Sequence, residues 1–220
     1  MRIACLHTAD VHVATFDRIF ENLDSGVQLT HHVDAGLLER ARRDGVDAVR
    51  TDVEKILKGL SNADAVLCTC STLGPLADDA AKASSAIVRI DRPLMEQACV
   101  DGGKVLVALC LDSTREATLD LLMDCAKDAG RNVTPIVVIC HEAWAFFETG
   151  DMEAYATSIA SSIKSRFEEE PGIKSIVLAQ ASMRVAEAKL ADIGIPVRSS
   201  PVMAAKRCLE VGQVSKGETR

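Results

Sequence analysis

Apolar runs of strand length recur along this chain with helix-length stretches between them, and this rhythm constrains the fold more than any other feature. Strand signals fall at 2–6, 27–30, 65–69, 86–90, 105–110, 133–139, 175–179 and around Val197. Helical periodicity covers 34–43, 46–60, 76–83, 95–101, 115–129, 152–167, 184–192 and 202–211. Strands separated by helices pair in parallel, because each crossover helix returns the chain to the same edge. Several runs are unbroken Val, Ile and Leu, as strands covered on both faces require. The expected class is α/β: two similar lobes, each a mainly parallel sheet flanked by helices, with a cleft between them.

The lobes follow from punctuation and from an internal echo. Proline in Ile90-Asp91-Arg92-Pro93 restrains the residue before it to an extended conformation and suits a connection. A second crossing falls between Ile195 and Pro201. Lobe one is then 1–92 with 201–220, and lobe two is 93–200; residues 215–220 read as a polar, frayed tail. The echo aligns Ala65–Thr72 with Ile176–Met183 without a gap, matching Val66-Leu67 to Val177-Leu178 and Ser71 to Ser182. A unit repeated about 110 residues apart is the mark of two similar halves. In this alignment Cys70 falls opposite Ala181, with Gln180 just before it.

Cys70 is the residue that carries most chemical promise. It ends an apolar run and is followed by Ser71, Thr72 and then Gly74-Pro75, so a strand delivers a thiol to its C-terminal end where the chain turns into a helix. In open α/β sheets ligands bind at that edge. Backbone N–H groups and a helix start there favour thiolate. As a bland alternative, a free cysteine is often one more small buried hydrophobe.

Composition narrows the class further. A chain of 220 residues with 48% hydrophobic and 3% aromatic residues supports an aliphatic core. Net charge is −7 and basic residues do not cluster, so nucleic acid is not an expected partner. No apolar run approaches the roughly 20 residues of a membrane span, and the N-terminus lacks a signal-peptide layout. Eight cysteines in strand and helix patterns, without a secreted framework's spacing, point to a reducing cytoplasm rather than to disulfides. Cys68 and Cys70 are too close for an ordinary bridge.

Four loops leave strand ends with polar groups: His7-Thr8-Ala9-Asp10, Cys70-Ser71-Thr72, Asp112-Ser113-Thr114 and Gln180-Ala181-Ser182-Met183. Hydroxyls and free N–H groups at helix starts hold an anion without a cation. Thr8, Asp10, Ser71, Thr72, Ser113, Thr114, Gln180 and Ser182 are therefore candidate substrate-binding residues for a small carboxylate. Ser113 or Thr114, taken alone, reads equally as a helix cap. Cys5, His7, Asp10 and His12 are close in sequence, but strand alternation puts only Cys5 and His7 on one face, and no closed four-ligand spacing follows. No metal is expected. His31-His32 precede a helix that Asp34 would cap, and one of these histidines is a candidate to face the cleft.

These motifs, in this order, resemble the aspartate/glutamate/hydantoin racemase superfamily over nearly the full length, with kinship to maleate isomerases and arylmalonate decarboxylases. Cys70-Ser71-Thr72 is similar to the family's first Cys-Asn/Ser-Thr motif, and Val107 through Thr114 to its strand and Thr-rich anion loop. Ile90 through Met95 resembles its lobe connection, Thr149-Gly150-Asp151 a helix-start motif, and Ser200 through Ala205 its closing helix. The resemblance implies a cofactor-independent enzyme of racemase or isomerase type acting on a small carboxylic acid. Its racemases use two facing cysteines, one removing and one donating a proton. Here Ala181 stands where the second thiol belongs, so Cys70 acts alone unless Cys110 or Cys140 reaches the site. A single-cysteine decarboxylase and a non-catalytic acid-binding module are the alternatives. No exchange on aspartate or glutamate is expected, and a homodimer is common for such a fold.

Overall fold

The structure is a computed structural model that describes residues 1–217. The chain divides into two compact units, Met1–Ile90 with the segment from Pro201 onward, and Asp91–Ser200.

The first unit contains β1 (Arg2–His7), α1 (Val11–Leu23), β2 (Gln28–Val33), α2 (Ala35–Asp44), α3 (Arg50–Gly59), β3 (Ala65–Cys68), α4 (Gly74–Ala81) and β4 (Ile87–Arg89). Its four strands are parallel in the order β2-β1-β3-β4. β3 is buried along its whole length, which is why its sequence reads as an unbroken apolar run. Leu6 and Val66 pack with Leu37, Val53, Leu57, Leu73 and Leu76 in an aliphatic core. Each such side chain contributes roughly 1.5–3 kcal/mol by leaving water, and Phe16 and Phe20 of α1 are buried as well.

The second unit repeats the plan. It contains α5 (Arg92–Asp101), β5 (Gly103–Leu109), α6 (Arg115–Asp128), β6 (Val133–Ile139), α7 (His141–Thr149), α8 (Met152–Glu169), β7 (Ile173–Leu178) and β8 (Val197–Ser199). The parallel order is β6-β5-β7-β8, the same permutation as in the first unit. Gly150, at φ 78°, ends α7 in the left-handed region that glycine enters at no cost. Asp151 then caps α8 by accepting the Ala154 N–H at 3.0 Å, which is the role its motif promised. Finally α9 (Ser200–Gly217) carries buried Ala204, Ala205 and Cys208 and returns the chain to the first unit.

All eight expected strands are present, whereas the helices differ in five places. Helix α1 is not among the expected helices, which begin only at residue 34. Phe16, Ile19 and Phe20 are buried at the i, i+3, i+4 spacing of an amphipathic face, a signal masked by the valine-rich first turn, Val11-His12-Val13-Ala14, which has no helical period. α7 is likewise absent from the expected helices, because nine residues between a strand and a long helix pass for a loop. The expected helix over 46–60 opens as a 3₁₀ turn, Val46–Val49. That over 184–192 is a 3₁₀ segment spanning Ala181–Leu190. α9 runs on to Gly217, so the expected tail is helical at its start, and 218–220 lie outside the described residues.

Candidate functional site

In the order β2-β1-β3-β4, the chain leaves β1 toward one edge and β3 toward the other. The loops after β1 and β3 therefore diverge at the C-terminal ends of the strands, and such a switch point is where α/β sheets bind ligands. Thr8 follows β1 and Cys70 follows β3, so strand order brings together two residues that lie 62 apart in sequence. A tight turn shapes the second loop, with the Leu73 N–H on the Cys70 carbonyl at 3.2 Å and the Gly74 N–H on the Ser71 carbonyl at 3.0 Å. α4 starts at once behind it.

All eight cysteines are free and buried, and Cys70, at 8% exposure, is the most accessible of them. Burial pushes its thiol above the ordinary cysteine range. Hydrogen bonds from the Thr8 hydroxyl, the Leu73 and Thr72 N–H groups and the Thr72 hydroxyl oppose that by favouring thiolate. The net direction is upward, which corrects the expectation that a helix start alone would make this thiol acidic: desolvation outweighs the donors. Cys70 rests as a neutral, well-donated S–H. Its alkylation by iodoacetamide should therefore still accelerate with pH beyond the ordinary cysteine pKa. A rate that levels off near neutrality, followed by mass spectrometry of the Cys70 peptide, would contradict this.

The second unit has an equivalent switch point between β5 and β7. Hydrogen bonds fix the correspondence: Thr69 N–H bonds the Leu6 carbonyl at 3.0 Å, as Ala179 N–H bonds that of Ala108 at 3.1 Å. Asp34 N–H reaches the His7 carbonyl as Cys140 N–H reaches that of Leu109. The Leu73 to Cys70 turn bond has its match in Met183 N–H on the Gln180 carbonyl at 2.9 Å. The repeat is thus shifted by one residue from the gapless alignment read in the sequence. Cys70 corresponds to Gln180, Ser71 to Ala181, Thr72 to Ser182 and Thr8 to Cys110.

The shift changes the chemistry of the second unit. Gln180, 8% exposed like Cys70, accepts the Cys110 N–H on its Oε1 at 2.5 Å. Both units therefore bridge the two divergent loops at the same positions, one through a thiol and one through a carboxamide. Cys110 takes the place of Thr8, and its Sγ lies 3.5 Å from the Tyr155 hydroxyl. Burial raises the Cys110 thiol to about 12 and also lifts the Tyr155 hydroxyl. Tyr155 Oη is 2.8 Å from Ser182 Oγ, forming a short polar chain that sequence reasoning missed, since nothing local links residues 110, 155 and 182. Tyr155→Phe removes its middle member and should cost about 1 kcal/mol, or roughly 2–4 °C in Tm, read by thermal unfolding. An unchanged Tm would show the chain to be energetically idle.

The remaining candidates divide sharply. Thr8, Ser71 and Thr72 are buried in the first unit, and Thr8 and Thr72 reach the Cys70 thiol. Asp10 is exposed at the start of α1 and makes no side-chain cap there. In the second unit Ser113 is exposed, while the buried Thr114 hydroxyl donates to the Leu111 carbonyl at 2.7 Å and is committed to its own turn. Asp34 starts α2 without a side-chain cap bond. Burial, with His31 and His12 nearby, pushes the His7 imidazole down to about 3, so it is neutral, and its Nδ1 lies 2.8 Å from Thr69 Oγ1, next to Cys70.

No protein-family profile and no curated protein sequence matches this chain. Solved structures do match its fold. The glutamate racemase isoform RacE1 of Bacillus anthracis aligns with a TM-score of 0.70 at 14% identity, over 98% of this chain and 82% of that one. An aspartate racemase of Picrophilus torridus aligns at 0.70 and 13%, over 96% and 94%. A mutant arylmalonate decarboxylase in its sulfate-associated form aligns at 0.60 and 15%, over 97% and 94%. The chain shares the α/β fold of these structures, built here as two four-stranded parallel sheets flanked by helices. Among the described residues no helix is long and apolar enough to cross a membrane.

Proposed function

We propose that this protein is a cofactor-independent enzyme that moves a proton at the carbon next to a carboxylate, with Cys70 as the acid. One observation carries the reading. The β1/β3 switch point carries a protonated thiol ringed by hydroxyl and N–H donors, while the matching position of the second unit holds Gln180, whose carboxamide acts as neither acid nor base near neutral pH. A symmetric two-thiol racemisation needs a titratable group at both positions. One-sided delivery suits a reaction that creates a carbanion by other means and then quenches it.

Decarboxylation of a small acid with a second carboxylate on the same carbon has that form. The C–C bond to one carboxylate breaks, CO2 leaves, and the electron pair passes into an enediolate on the other carboxylate. The Cys70 S–H gives its proton to the carbon, and the thiolate regains one from water. Donors from Thr8 and Thr72 steady the thiolate at the moment it forms. The same donors favour a second reading, in which the thiolate adds to an activated alkene and permits isomerisation.

The test is a screen of small malonates, unsaturated diacids and amino acids in deuterated water, followed by NMR. Turnover of a malonate or an unsaturated diacid, without α-exchange on aspartate or glutamate, is expected. Rapid α-exchange on those amino acids would overturn the one-thiol reading. Binding without turnover of any acid would leave an acid-binding module and refute the enzyme.

A further inference from the structure

The pairing of β1 with β2 brings His31 beside Cys5 and His7, which strand alternation already places on one face. Their parallel register pairs Cys5 with His31, and alternation along β1 puts His7 on the same side as Cys5. Cys5 Sγ and one nitrogen each from His7 and His31 all lie within 4.8 Å of one another. We propose that Cys5, His7 and His31 form a binding site for a zinc-like divalent cation. The inference is independent of the reading given to Cys70.

The proton count of the two rings supports it. Thr69 Oγ1 donates to the Leu6 carbonyl at 2.9 Å, so it must accept from His7 Nδ1–H at 2.8 Å. That leaves a lone pair on His7 Nε2. On the other ring, His31 Nε2 lies 3.1 Å from the Asp17 carboxylate, which can only accept, so Nε2 carries a proton. Neutral His31 then has its lone pair on Nδ1. The two lone pairs face each other across 2.8 Å, an arrangement that needs a cation between them. A shared proton meets the need without an ion, and burial then keeps the Cys5 thiol neutral; a metal ion would displace both that proton and the thiol proton, gaining a soft anionic donor that a proton cannot use.

The outer contacts fit the same role. A ligating histidine usually donates its far N–H to a carboxylate or another oxygen, which fixes the ring and raises its basicity. His31 does so to Asp17, and His7 does so to Thr69. Two imidazoles and a thiolate suit zinc or cobalt better than magnesium or calcium, which prefer oxygen. Metal–nitrogen bonds of about 2.05 Å at a tetrahedral angle separate two nitrogens by about 3.3 Å, so loading would part the rings by about 0.5 Å. Cys5 is fully buried, but the side chains of His31 and Asp17 are 15% and 55% exposed, which gives an ion a route in.

The test titrates chelator-stripped, reduced protein with zinc alone by calorimetry and with cobalt alone by absorption. One equivalent should bind, with a thiolate-to-cobalt charge-transfer band and the strong visible bands of a four-coordinate ion. His31→Ala, a change at a part-exposed position, should weaken binding by at least about tenfold. Cys5→Ser should remove the charge-transfer band, and Cys70→Ser should leave both signals unchanged. The site is refuted if no ion binds, if His31→Ala binds as the natural protein does, or if the band survives Cys5→Ser and vanishes with Cys70→Ser. Should Cys5→Ser not fold, His31→Ala decides alone.

Discussion

Replacing Cys70 by alanine is expected to lower kcat/KM for the substrate found by the acid screen by about 10²–10⁴-fold, the usual contribution of a positioned acid or base. The fold should survive, because the change removes only one sulfur atom, although Cys70 belongs to the same buried cluster as Leu73 and Leu76. KM should change little, since the hydroxyl and N–H donors remain, so the loss falls mainly on kcat. Serine at this position should not rescue, as its hydroxyl is far less acidic than a thiol. If Cys70→Ala kept more than a tenth of the activity, the acid would have to be sought elsewhere.

Gly74→Ala is the second large effect expected. A Cβ at this position would sit 2.4 Å from Nε of Arg89, closer than real side chains tolerate. The guanidinium cannot swing away at little cost, because Arg89 is buried and its Nη1 holds Asp78 Oδ2 at 2.7 Å. Overpacking of this kind costs about 1–3 kcal/mol, or roughly 2–12 °C in Tm for a chain of this size. Activity should fall as well, because the Gly74 N–H closes the turn on Ser71 that presents Cys70. Gly59→Ala is the control: that glycine is exposed near the end of α3 with open space around it, so its variant should be neutral or slightly more stable. Equal Tm values for the two variants would show that the Arg89 contact does not constrain Gly74.

Much of the fold was legible because parallel strands buried on both faces announce themselves. Val105–Leu109 and Ile176–Leu178 leave little room for another reading. Helix α1 was not legible, because its first turn alternates Val11 and Val13 with His12 and Ala14, a pattern without helical period that precedes the face made by Phe16, Ile19 and Phe20. Cys70 stood out through its place after an apolar run, and Thr8 through its place after another. Their mutual contact, however, depends on strand order, which no local pattern encodes. The one-residue slip of the repeat has a similar cause. Identity favours the gapless register through Val66-Leu67 and Ser71, and only the hydrogen bonds of Thr69 and Leu73, matched by those of Ala179 and Met183, reveal the shifted one. That choice turned Gln180 from a neighbour of the missing thiol into its replacement. The Tyr155 chain and the His7–His31 pair were out of reach for the same reason, since each joins residues from separate elements.

The central claim is that one thiol delivers the proton, from one face. The handedness of the product formed from a prochiral malonate in deuterated water tests it most directly, read by chiral chromatography and NMR. The account expects a single enantiomer carrying one deuterium on the carbon that lost CO2. A racemic product, or the same label and handedness from Cys70→Ala at an undiminished rate, would contradict it.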